Sequence, residues 1–259
     1  MDFTGKVVLI TGAGSGIGKE IAIHFAKLSA NLVLISSNVD KLTKVSEECK
    51  HLSNSRVLIL PCNLRQIHTI KDVISNAKKE FGRIDVVVNC AGIAAIDGIT
   101  SVDVLDKVDD VLKVNFEAAV AITHSAVDTL IESRGCIINI GSIMGTMVGK
   151  YSIAYNVSKA VLLQFTKCIA LELADNGVRV NCISPGSVKT NIISDFIPSE
   201  QQENFWDSLI DDYPLKHLPT TDDIANMTTF LASHKAKSIT GCDIIVDGGK
   251  TLTKFLHQY

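Results

Sequence analysis

A run of apolar residues followed at once by a glycine-rich turn is the feature that most limits the folds open to this chain. Residues 6–11 read KVVLIT, and glycines follow at positions 12, 14, 16 and 18 of the stretch TGAGSGIG. A continuous apolar run that ends in turn residues is typical of a strand buried on both faces of a parallel sheet. A helical pattern begins at about Gly16, so the turn joins a strand to a helix. This order predicts the first βα unit of a layered α/β protein.

Short apolar runs alternate with longer helical patterns along the rest of the chain. Parallel strands need crossover helices, and these cover both faces of the sheet. The pattern therefore predicts α/β architecture, with one Rossmann-type, doubly wound, seven-stranded parallel sheet in a single domain over residues 1–259. The predicted strands are 6–11, 31–36, 56–62, 84–92, 136–142, 178–186 and 242–249, and the helices include about 16–28, 39–52, 103–132, 152–175 and 222–233. Residues 187–220 interrupt the alternation and are predicted to form a substrate lid.

Charge and composition argue against several classes of function. The formal net charge is −3 and no basic stripe stands out, so nucleic acid is not expected as a partner. No apolar run reaches the length of a membrane span without a polar break, and the first residues do not resemble a secretory signal. The seven cysteines include no C-x-x-C pair, and the seven histidines show no metal-ligand spacing. These features predict reduced thiols in the cytoplasm and no metal site.

The glycine-rich turn predicts a binding site for the pyrophosphate of a dinucleotide. Glycine allows a tight turn and a close approach of phosphate to the backbone, and the helix that follows offers free N–H groups and a positive dipole end. The second strand ends in Ser36, Ser37 and Asn38, where an acidic residue would select NAD and a basic one would accommodate a 2′-phosphate. Neither charge is present, and serine hydroxyls can hydrogen-bond a phosphate. The segment therefore favours NADP(H) slightly and leaves NAD(H) open.

A tyrosine and a lysine four residues apart, Tyr155 and Lys159, lie in the helical pattern at about 152–175. Residues at this spacing share one face of a helix. A nearby ammonium group favours the phenolate form of a tyrosine and so suits it to proton transfer. Such a pair also arises often by chance, so it needs support from other motifs. Tyr151 lacks a basic residue four positions on and is interpreted as a pocket or interface aromatic.

Five motifs in register resemble those of the short-chain dehydrogenase/reductase family. They are TGAGSGIG at 11–18, NCAG at 89–92, a serine at 142, YNVSK at 155–159 and SPG at 184–186. The resemblance covers nearly the whole chain and implies an NAD(P)(H)-dependent oxidoreductase that interconverts a carbonyl and a secondary alcohol. It implies that Tyr155 is the acid/base and that Ser142 hydrogen-bonds the substrate oxygen. It further implies that Lys159 acts on the tyrosine and the cofactor ribose, and that Asn115 joins a proton relay.

The resemblance also implies a set of cofactor-binding residues along the carboxyl ends of the strands. Two positions depart from the family pattern: Cys90 replaces the second asparagine of its Asn-Asn-Ala-Gly motif, and Asn63 replaces an aspartate near the adenine. An asparagine can still accept a hydrogen bond from the adenine amino group, and we expect Cys90 to be tolerated. The implied cofactor set is Gly12, Ser15, Gly16, Ile17, Gly18, Ser36, Ser37, Asn38, Asn63, Leu64, Asn89, Ala91, Gly92, Tyr155, Lys159, Pro185, Gly186, Val188 and Thr190.

The segments expected to line the substrate pocket carry almost no charge. The candidate pocket residues are Ile93, Ile143, Met144, Met147 and, in the lid, Trp206, although packing within the lid explains Trp206 equally well. This composition predicts an apolar small-molecule substrate, such as a steroid, isoprenoid, fatty or xenobiotic carbonyl. Lys150 leaves open a 3-oxoacyl-thioester reductase as an alternative.

Two further expectations concern the protein as a whole. A non-catalytic nucleotide-binding protein that kept the fold is a second alternative, and the intact set of Ser142, Tyr155 and Lys159 argues against it. The resemblance implies a homodimer or homotetramer assembled through the helices at about 103–132 and 152–175 and the last strand.

Overall fold

All seven strands in the described part of the chain, residues 1–253 of a computed structural model, form one parallel sheet. The strands are β1 (Val7–Thr11), β2 (Asn31–Ser36), β3 (Val57–Pro61), β4 (Val86–Asn89), β5 (Cys136–Ile140), β6 (Arg179–Pro185) and β7 (Asp243–Val246). Their order in the sheet is β3-β2-β1-β4-β5-β6-β7, which confirms the predicted doubly wound architecture. The chain reverses its direction of winding beside β1, whose neighbours are β2 and β4, and ligands of such sheets bind at this point.

Eight α-helices are found in residues 1–253, and they cover both faces of the sheet. They are α1 (Gly16–Lys27), α2 (Val39–Leu52), α3 (Ile70–Phe81), α4 (Val104–Leu112), α5 (Ala118–Ser133), α6 (Ile153–Glu172), α7 (Ser199–Ile210) and α8 (Thr221–Ala232). One buried cluster packs α1, α2 and α8 on the sheet, and a second packs α3, α5 and the end of α6 on the opposite face. In β1, Val8 and Ile10 enter the first cluster while Val7 and Leu9 enter the second. Burial on both faces explains why this strand is apolar at consecutive positions.

Two elements differ from their predicted bounds in ways that affect the cleft. The predicted helix at about 103–132 is divided into α4 and α5 by a π-helical turn over Lys113–Glu117. The fourth strand, predicted to reach residue 92, ends at Asn89. The rest of the NCAG motif therefore leaves the sheet and is available to border a ligand.

The segment 187–220 contains α7 and a small buried cluster of its own. Trp206, Tyr213 and Leu218 form the centre of this cluster, with Phe205 packed edge-on against Trp206 at a ring distance of 5.1 Å. Movement of this segment as a lid, and the assignment of residues 1–259 to a single domain, stay predictions. Residues 254–259 lie outside the described range.

Within residues 1–253, no helix combines the length and the apolar character that crossing a bilayer requires.

A buried carboxylate joins the first strand to the fourth. Asp85 is only 4% exposed and accepts hydrogen bonds from the Val7 amide (2.9 Å), Lys6 Nζ (3.0 Å) and Arg83 Nε (2.8 Å). Burial alone would raise the pKa of Asp85, but hydrogen bonds from Arg83, the Val7 amide and Lys6 outweigh it and hold the pKa below its usual range. The ionised carboxylate therefore stabilises the start of both strands.

We expect Asp85→Asn to lower the free energy of unfolding at pH 7 by about 2 kcal/mol, because the Val7 amide, Lys6 and Arg83 lose the buried, charged acceptor that they share. Since the folded-state pKa is below the unfolded value, this stabilisation is present above about pH 4 and is lost as the pH falls through the folded-state pKa. Urea unfolding from pH 7 to pH 3 should therefore show the gap between variant and wild type closing in acid. The exposed Asp106→Asn is the control, and a gap that widens in acid would contradict the prediction.

Candidate active site

The carboxyl ends of the strands open into a cleft of about 590 Å³. All of the predicted cofactor residues except Asn89 line this cleft, together with Ser142 and Ile93 from the other predicted sets. The carboxyl end of an open α/β sheet is where such proteins bind ligands. Cys90 of the NCAG motif and Ala94, directly after Ile93, line the cleft as well. The lining residues that sequence reasoning missed are Lys41, Cys62, Arg65, Val114, Ile140, Gly141, Asn191, Ile192 and Asp195.

The glycine-rich turn has no room for side chains at two of its positions. Gly12 has φ +68°, and a Cβ there would lie 2.9 Å from the Cα of Ala91. A Cβ on Gly18 would lie 2.7 Å from the carbonyl carbon of Gly12. The turn thus packs directly on the NCAG segment and on the first turn of α1.

The start of α1 is suited to an anion. Ser15 precedes the helix and makes no side-chain cap within the described range, and the first turn carries no acidic residue. The N–H groups at the start of the helix are therefore left to a ligand, and the helix dipole favours negative charge there. Together with the glycine turn, this geometry fits the pyrophosphate of a dinucleotide.

A lysine that the sequence reasoning missed lies beside the end of β2. A Cβ on Gly14 would lie 3.1 Å from Ser36 Oγ and 3.3 Å from Lys41 Cβ, so both side chains border the glycine turn. Asn38 caps α2 by accepting a hydrogen bond from the Lys41 amide at 2.9 Å. The cap fixes the point at which α2 begins. Lys41 lines the cleft, although it stands five residues beyond the end of β2. The N-cap pattern at Asn38 was the sequence signal that could have identified Lys41.

A second basic side chain lies at the end of the cleft that Asn63 and Leu64 line, and it is paired with a carboxylate. Arg65 follows the predicted adenine contacts Asn63 and Leu64 and donates two hydrogen bonds to Asp110, at 2.5 Å and 2.8 Å. These hydrogen bonds hold the pKa of Asp110 below its usual value. The pair joins the loop after β3 to α4.

The predicted tyrosine and lysine meet as the helical spacing requires. Lys159 is 4% exposed, and its Nζ donates a hydrogen bond of 2.8 Å to the carbonyl oxygen of Ile140. The same Nζ lies 5.6 Å from the centre of the Tyr155 ring, and both residues line the cleft. Ser142 stands just beyond β5, and its Oγ accepts a hydrogen bond from the Met144 amide at 3.2 Å. The hydroxyl residue Ser142, the phenol residue Tyr155 and the buried Lys159 thus border the same cleft.

Asn115 lies behind Tyr155 and Lys159 and is not one of the residues that line the cleft. It is 2% exposed; its Oδ1 accepts from the Ile93 amide at 2.8 Å, and its Nδ2 donates to the Ile93 carbonyl at 2.9 Å and to Ser158 Oγ at 3.0 Å. A Cβ on Gly92 would lie 3.5 Å from both Asn115 Oδ1 and Lys159 Nζ, so the two groups approach each other across Gly92. Ser158 is fully buried in this cluster.

Several predicted residues do not line the cleft in the described range. Asn89 is buried and donates to Asn139 Oδ1 at 2.8 Å, in a hydrogen-bond network inside the fold. Ile143 is 4% exposed and belongs to the buried residues, and Trp206 is held in the cluster of the segment 187–220. Met144, in the 3₁₀ turn Ile143–Gly145 that follows Ser142, and Met147 also lie outside the lining set. Their role as substrate contacts stays a prediction.

Two cysteines close enough to Lys159 to feel its charge are poor nucleophiles. Burial raises the pKa of both Cys90 and Cys182 to about 12, although Lys159 opposes the shift at each. The thiolate form of each is therefore scarce at neutral pH. Elsewhere, Glu20, His24 and Asp222 bring donor atoms within 4.8 Å of one another between α1 and α8. None of these three lines the cleft, and the absence of a metal site stays a prediction.

Comparison with known proteins agrees over nearly the full length of the chain. A family model described as enoyl-(acyl carrier protein) reductase matches residues 12–251. The 3-oxoacyl-(acyl-carrier-protein) reductase FabG of Buchnera aphidicola is 31% identical over 249 residues, covering 96% of this chain and 98% of that protein. The (+)-borneol dehydrogenase 2 of Salvia officinalis is 32% identical over 265 residues, covering 98% and 92%.

A solved structure shares both the fold and the sequence pattern. The L-sorbose reductase of Gluconobacter frateurii, in complex with NADPH and L-sorbose, matches with a TM-score of 0.89 at 31% identity, covering 96% of this chain and 98% of that one. The glycine turn, the ordered motifs and these matches agree with one another. This chain belongs to the short-chain dehydrogenase/reductase family and is an NAD(P)(H)-dependent oxidoreductase that interconverts carbonyl and alcohol groups.

Proposed function

We propose that this protein reduces an apolar ketone, or oxidises the corresponding secondary alcohol, with NADP(H) as the preferred cofactor and Tyr155 as the acid/base. The observation that carries the proposal is the buried Lys159 ammonium group beside the Tyr155 ring in a cleft that also holds Ser142 and the glycine turn. A binding protein without catalysis has no need of all three side chains together.

The cofactor supplies the hydride chemistry when it is bound. The chain's own residues handle the proton and the orientation of the substrate. Tyr155 donates its phenolic proton to the carbonyl oxygen during reduction and removes a proton from the hydroxyl during oxidation. Lys159 is held by the Ile140 carbonyl with its Nζ 5.6 Å from the centre of the Tyr155 ring, where its charge stabilises the negative charge that develops on the tyrosine oxygen during proton transfer. The Ser142 oxygen accepts from the Met144 amide, so its own O–H is free to donate to the substrate oxygen.

The preference for NADP(H) is supported by Lys41. The Lys41 side chain borders the cleft next to Ser36 and the glycine turn, where the adenosine ribose of a dinucleotide binds in this kind of fold. The sequence lacks a carboxylate there that would repel a 2′-phosphate. A positive charge and hydroxyl donors together favour the phosphorylated cofactor.

We expect Lys41→Ala to weaken NADPH binding by about 10-fold while changing NADH binding less than about twofold, because a charge-assisted contact to the 2′-phosphate is lost. Calorimetric titration of both cofactors at matched ionic strength measures the difference. Lys44→Ala, on the exposed face of the same helix, should leave both affinities unchanged. Equal weakening of both cofactors by Lys41→Ala would refute the role of Lys41 in selecting NADPH.

The substrate class is argued from the cleft beyond the proposed reacting groups. Ile93, Ala94 and Ile192 contribute apolar surface there. A pocket of this composition favours an uncharged carbonyl compound over a sugar or nucleotide. The name of the Salvia relative, a borneol dehydrogenase, points to a terpenoid alcohol for that protein.

A second candidate is the reduction of a 3-oxoacyl thioester. Lys150 is exposed and offers an ammonium group 5.1 Å from the Tyr151 ring, where it could receive the phosphate of an acyl carrier. The Buchnera relative carries that activity in its name.

A panel of carbonyl compounds followed at the nicotinamide absorbance tests these proposals. Faster turnover of apolar ketones than of acyl thioesters supports the first candidate, and the reverse order supports the second. Absence of turnover with every ketone, thioester and matching alcohol would overturn the proposed reaction.

Assembly and compartment complete the proposal. Exposed apolar residues on α4, α6 and β7, among them Leu105, Leu171 and Ile245, support a homodimer or homotetramer that covers these surfaces. Light scattering after size exclusion measures the assembly, and a monomer would contradict it. All seven cysteines are free, which supports a reducing compartment such as the cytoplasm.

A further inference from the structure

The segment that follows the NCAG motif is fastened to the structure at both of its ends. At its start, the amide and carbonyl of Ile93 both bond to the Asn115 side chain. At its end, the Asp97 amide donates to the Tyr151 carbonyl at 3.1 Å, and Asp97 forms an isolated parallel bridge with Ser152. Residues 93–97 thus connect the cluster behind the cleft to the start of the helix that carries Tyr155.

The start of α6 is not capped by its own N-cap residue. Ser152 makes no side-chain cap in the described part of the chain. Asp97, 57 positions before Ala154, supplies the missing acceptor: its Oδ2 accepts from the Ala154 amide at 3.1 Å. Since the first four amides of a helix have no partner within the helix, this contact replaces a local cap with one from a distant loop.

The buried environment of Asp97 makes this cap unusual. The residue is 2% exposed, and its Oδ1 is buried without a hydrogen-bond partner among residues 1–253. A carboxylate at this position interacts favourably with the positive dipole end of the 20-residue helix α6.

The chain just before α6 is strained as well as anchored. Tyr151 has φ +57°, a left-handed conformation that is uncommon for a residue with a side chain. The carbonyl of Tyr151 accepts a hydrogen bond from the Asp97 amide. The ring of Tyr151 packs over Gly98, since a Cβ built on that glycine would lie 3.3 Å from Tyr151 Cδ1. Strained turns persist only where surrounding contacts hold them, and they concentrate at functional sites.

We propose that Asp97 is a positioning residue for Tyr155. It caps α6 from the loop after β4 and holds the strained turn at Tyr151, and by these contacts it fixes the first turn of α6, where Tyr155 stands one residue after the capped amide. The proposal rests on the proposed function in that Tyr155 is taken as the acid/base. Asp97 itself does not line the cleft in the described range.

Hydrogen exchange on the wild-type protein tests the cap without any substrate. The Ala154 amide is at a position that exchanges rapidly in an uncapped helix, so we expect it to be protected like the amides in the middle of α6. In Asp97→Ala, exchange in a peptide covering 151–158 should be faster by about fivefold, the loss typical of a missing cap. Asp97→Asn keeps an oxygen acceptor and should remain within about twofold of wild type. Rapid exchange of Ala154 in the wild type would overturn the proposal even if the alanine variant fails to fold.

Kinetics then separate positioning from general stability. At a temperature where all variants are folded, Asp97→Ala should lower kcat roughly 10- to 100-fold, because small displacements of a reacting group cost this much. The Kd of the cofactor should change less than about twofold, and Asp97→Asn should restore most of kcat. Asp106→Ala removes an exposed carboxylate nearby and should match the wild type. An equal loss of kcat in Asp97→Asn and Asp97→Ala would show that the cap does not position Tyr155 and would overturn the proposal. Absence of turnover in the wild type would count against the proposed function alone.

Discussion

Replacing Tyr155 by phenylalanine is expected to lower kcat by about 10²- to 10⁴-fold, the range that a positioned acid/base contributes. The variant keeps the ring that lies 5.6 Å from Lys159 Nζ and removes only the phenolic oxygen. Lys159 keeps its hydrogen bond to the Ile140 carbonyl, so the local packing has no reason to change. The Kd of the cofactor should accordingly stay within about twofold of the wild-type value.

Steady-state rates and cofactor titration on the same protein preparations measure both quantities. Tyr151→Phe is the matched control, because Tyr151 is 62% exposed and stands four residues before Tyr155 in the same stretch. This control should turn over at the wild-type rate. Wild-type activity in Tyr155→Phe, or equal losses in both variants, would remove Tyr155 from the mechanism.

Replacing Gly18 by alanine is expected to abolish cofactor binding. The new Cβ would lie 2.7 Å from the carbonyl carbon of Gly12 and 3.2 Å from the Cα of Ala13, and backbone atoms cannot move aside as a flexible side chain can. The turn that Gly12 belongs to would have to shift away from α1, and the N–H groups that face the pyrophosphate would shift with it. We expect the Kd of the cofactor to rise at least about 100-fold, with a loss of stability of about 1–3 kcal/mol.

Gly14→Ala provides a control within the same turn. Its Cβ would meet only side-chain atoms, Ser36 Oγ at 3.1 Å and Lys41 Cβ at 3.3 Å. The hydroxyl can rotate away, and a shift of a few tenths of an ångström at the start of α2 relieves the contact with Lys41. Calorimetric titration should therefore show a much smaller change in Kd than for Gly18→Ala. Comparable affinity in the two variants would contradict the close packing of the turn on α1.

The sequence predicts the sheet well because each strand is identified by local information. Short, continuous apolar runs such as KVVLIT fit few environments other than a buried strand. The glycine turn marks the residue at which the first of these strands ends. The end of the fourth strand was harder to predict, since Cys90, Ala91 and Gly92 continue an apolar pattern after the last residue that pairs with β5. Hydrophobicity does not distinguish a residue in a strand from a residue packed against a neighbouring turn.

The parts of the site that sequence reasoning missed depend on contacts between distant segments. Lys41 reaches the cleft because a cap turns its helix back toward the strand. Asp97 stands far from Tyr155 in sequence and meets its helix only in the folded chain. Met144 and Met147 follow Ser142 closely in sequence, yet neither lines the cleft in the described range. Spacing within one helix, as for Tyr155 and Lys159, is the case that sequence resolves best.

The π-helical turn at Lys113–Glu117 makes the chain unusually sensitive to a change in length. A turn of this kind carries one residue more than a regular helical turn, so deletion of any one residue in it would leave an uninterrupted helix with normal hydrogen bonds. The deletion would leave α4 and α5 close to their present orientations, because the bulge accommodates the extra residue locally. The side chains within the turn would change direction, and Asn115 would no longer point at Ile93. A deletion scan across this turn would therefore yield proteins that keep their helical content and lose their activity, whereas deletions within the strands would prevent folding.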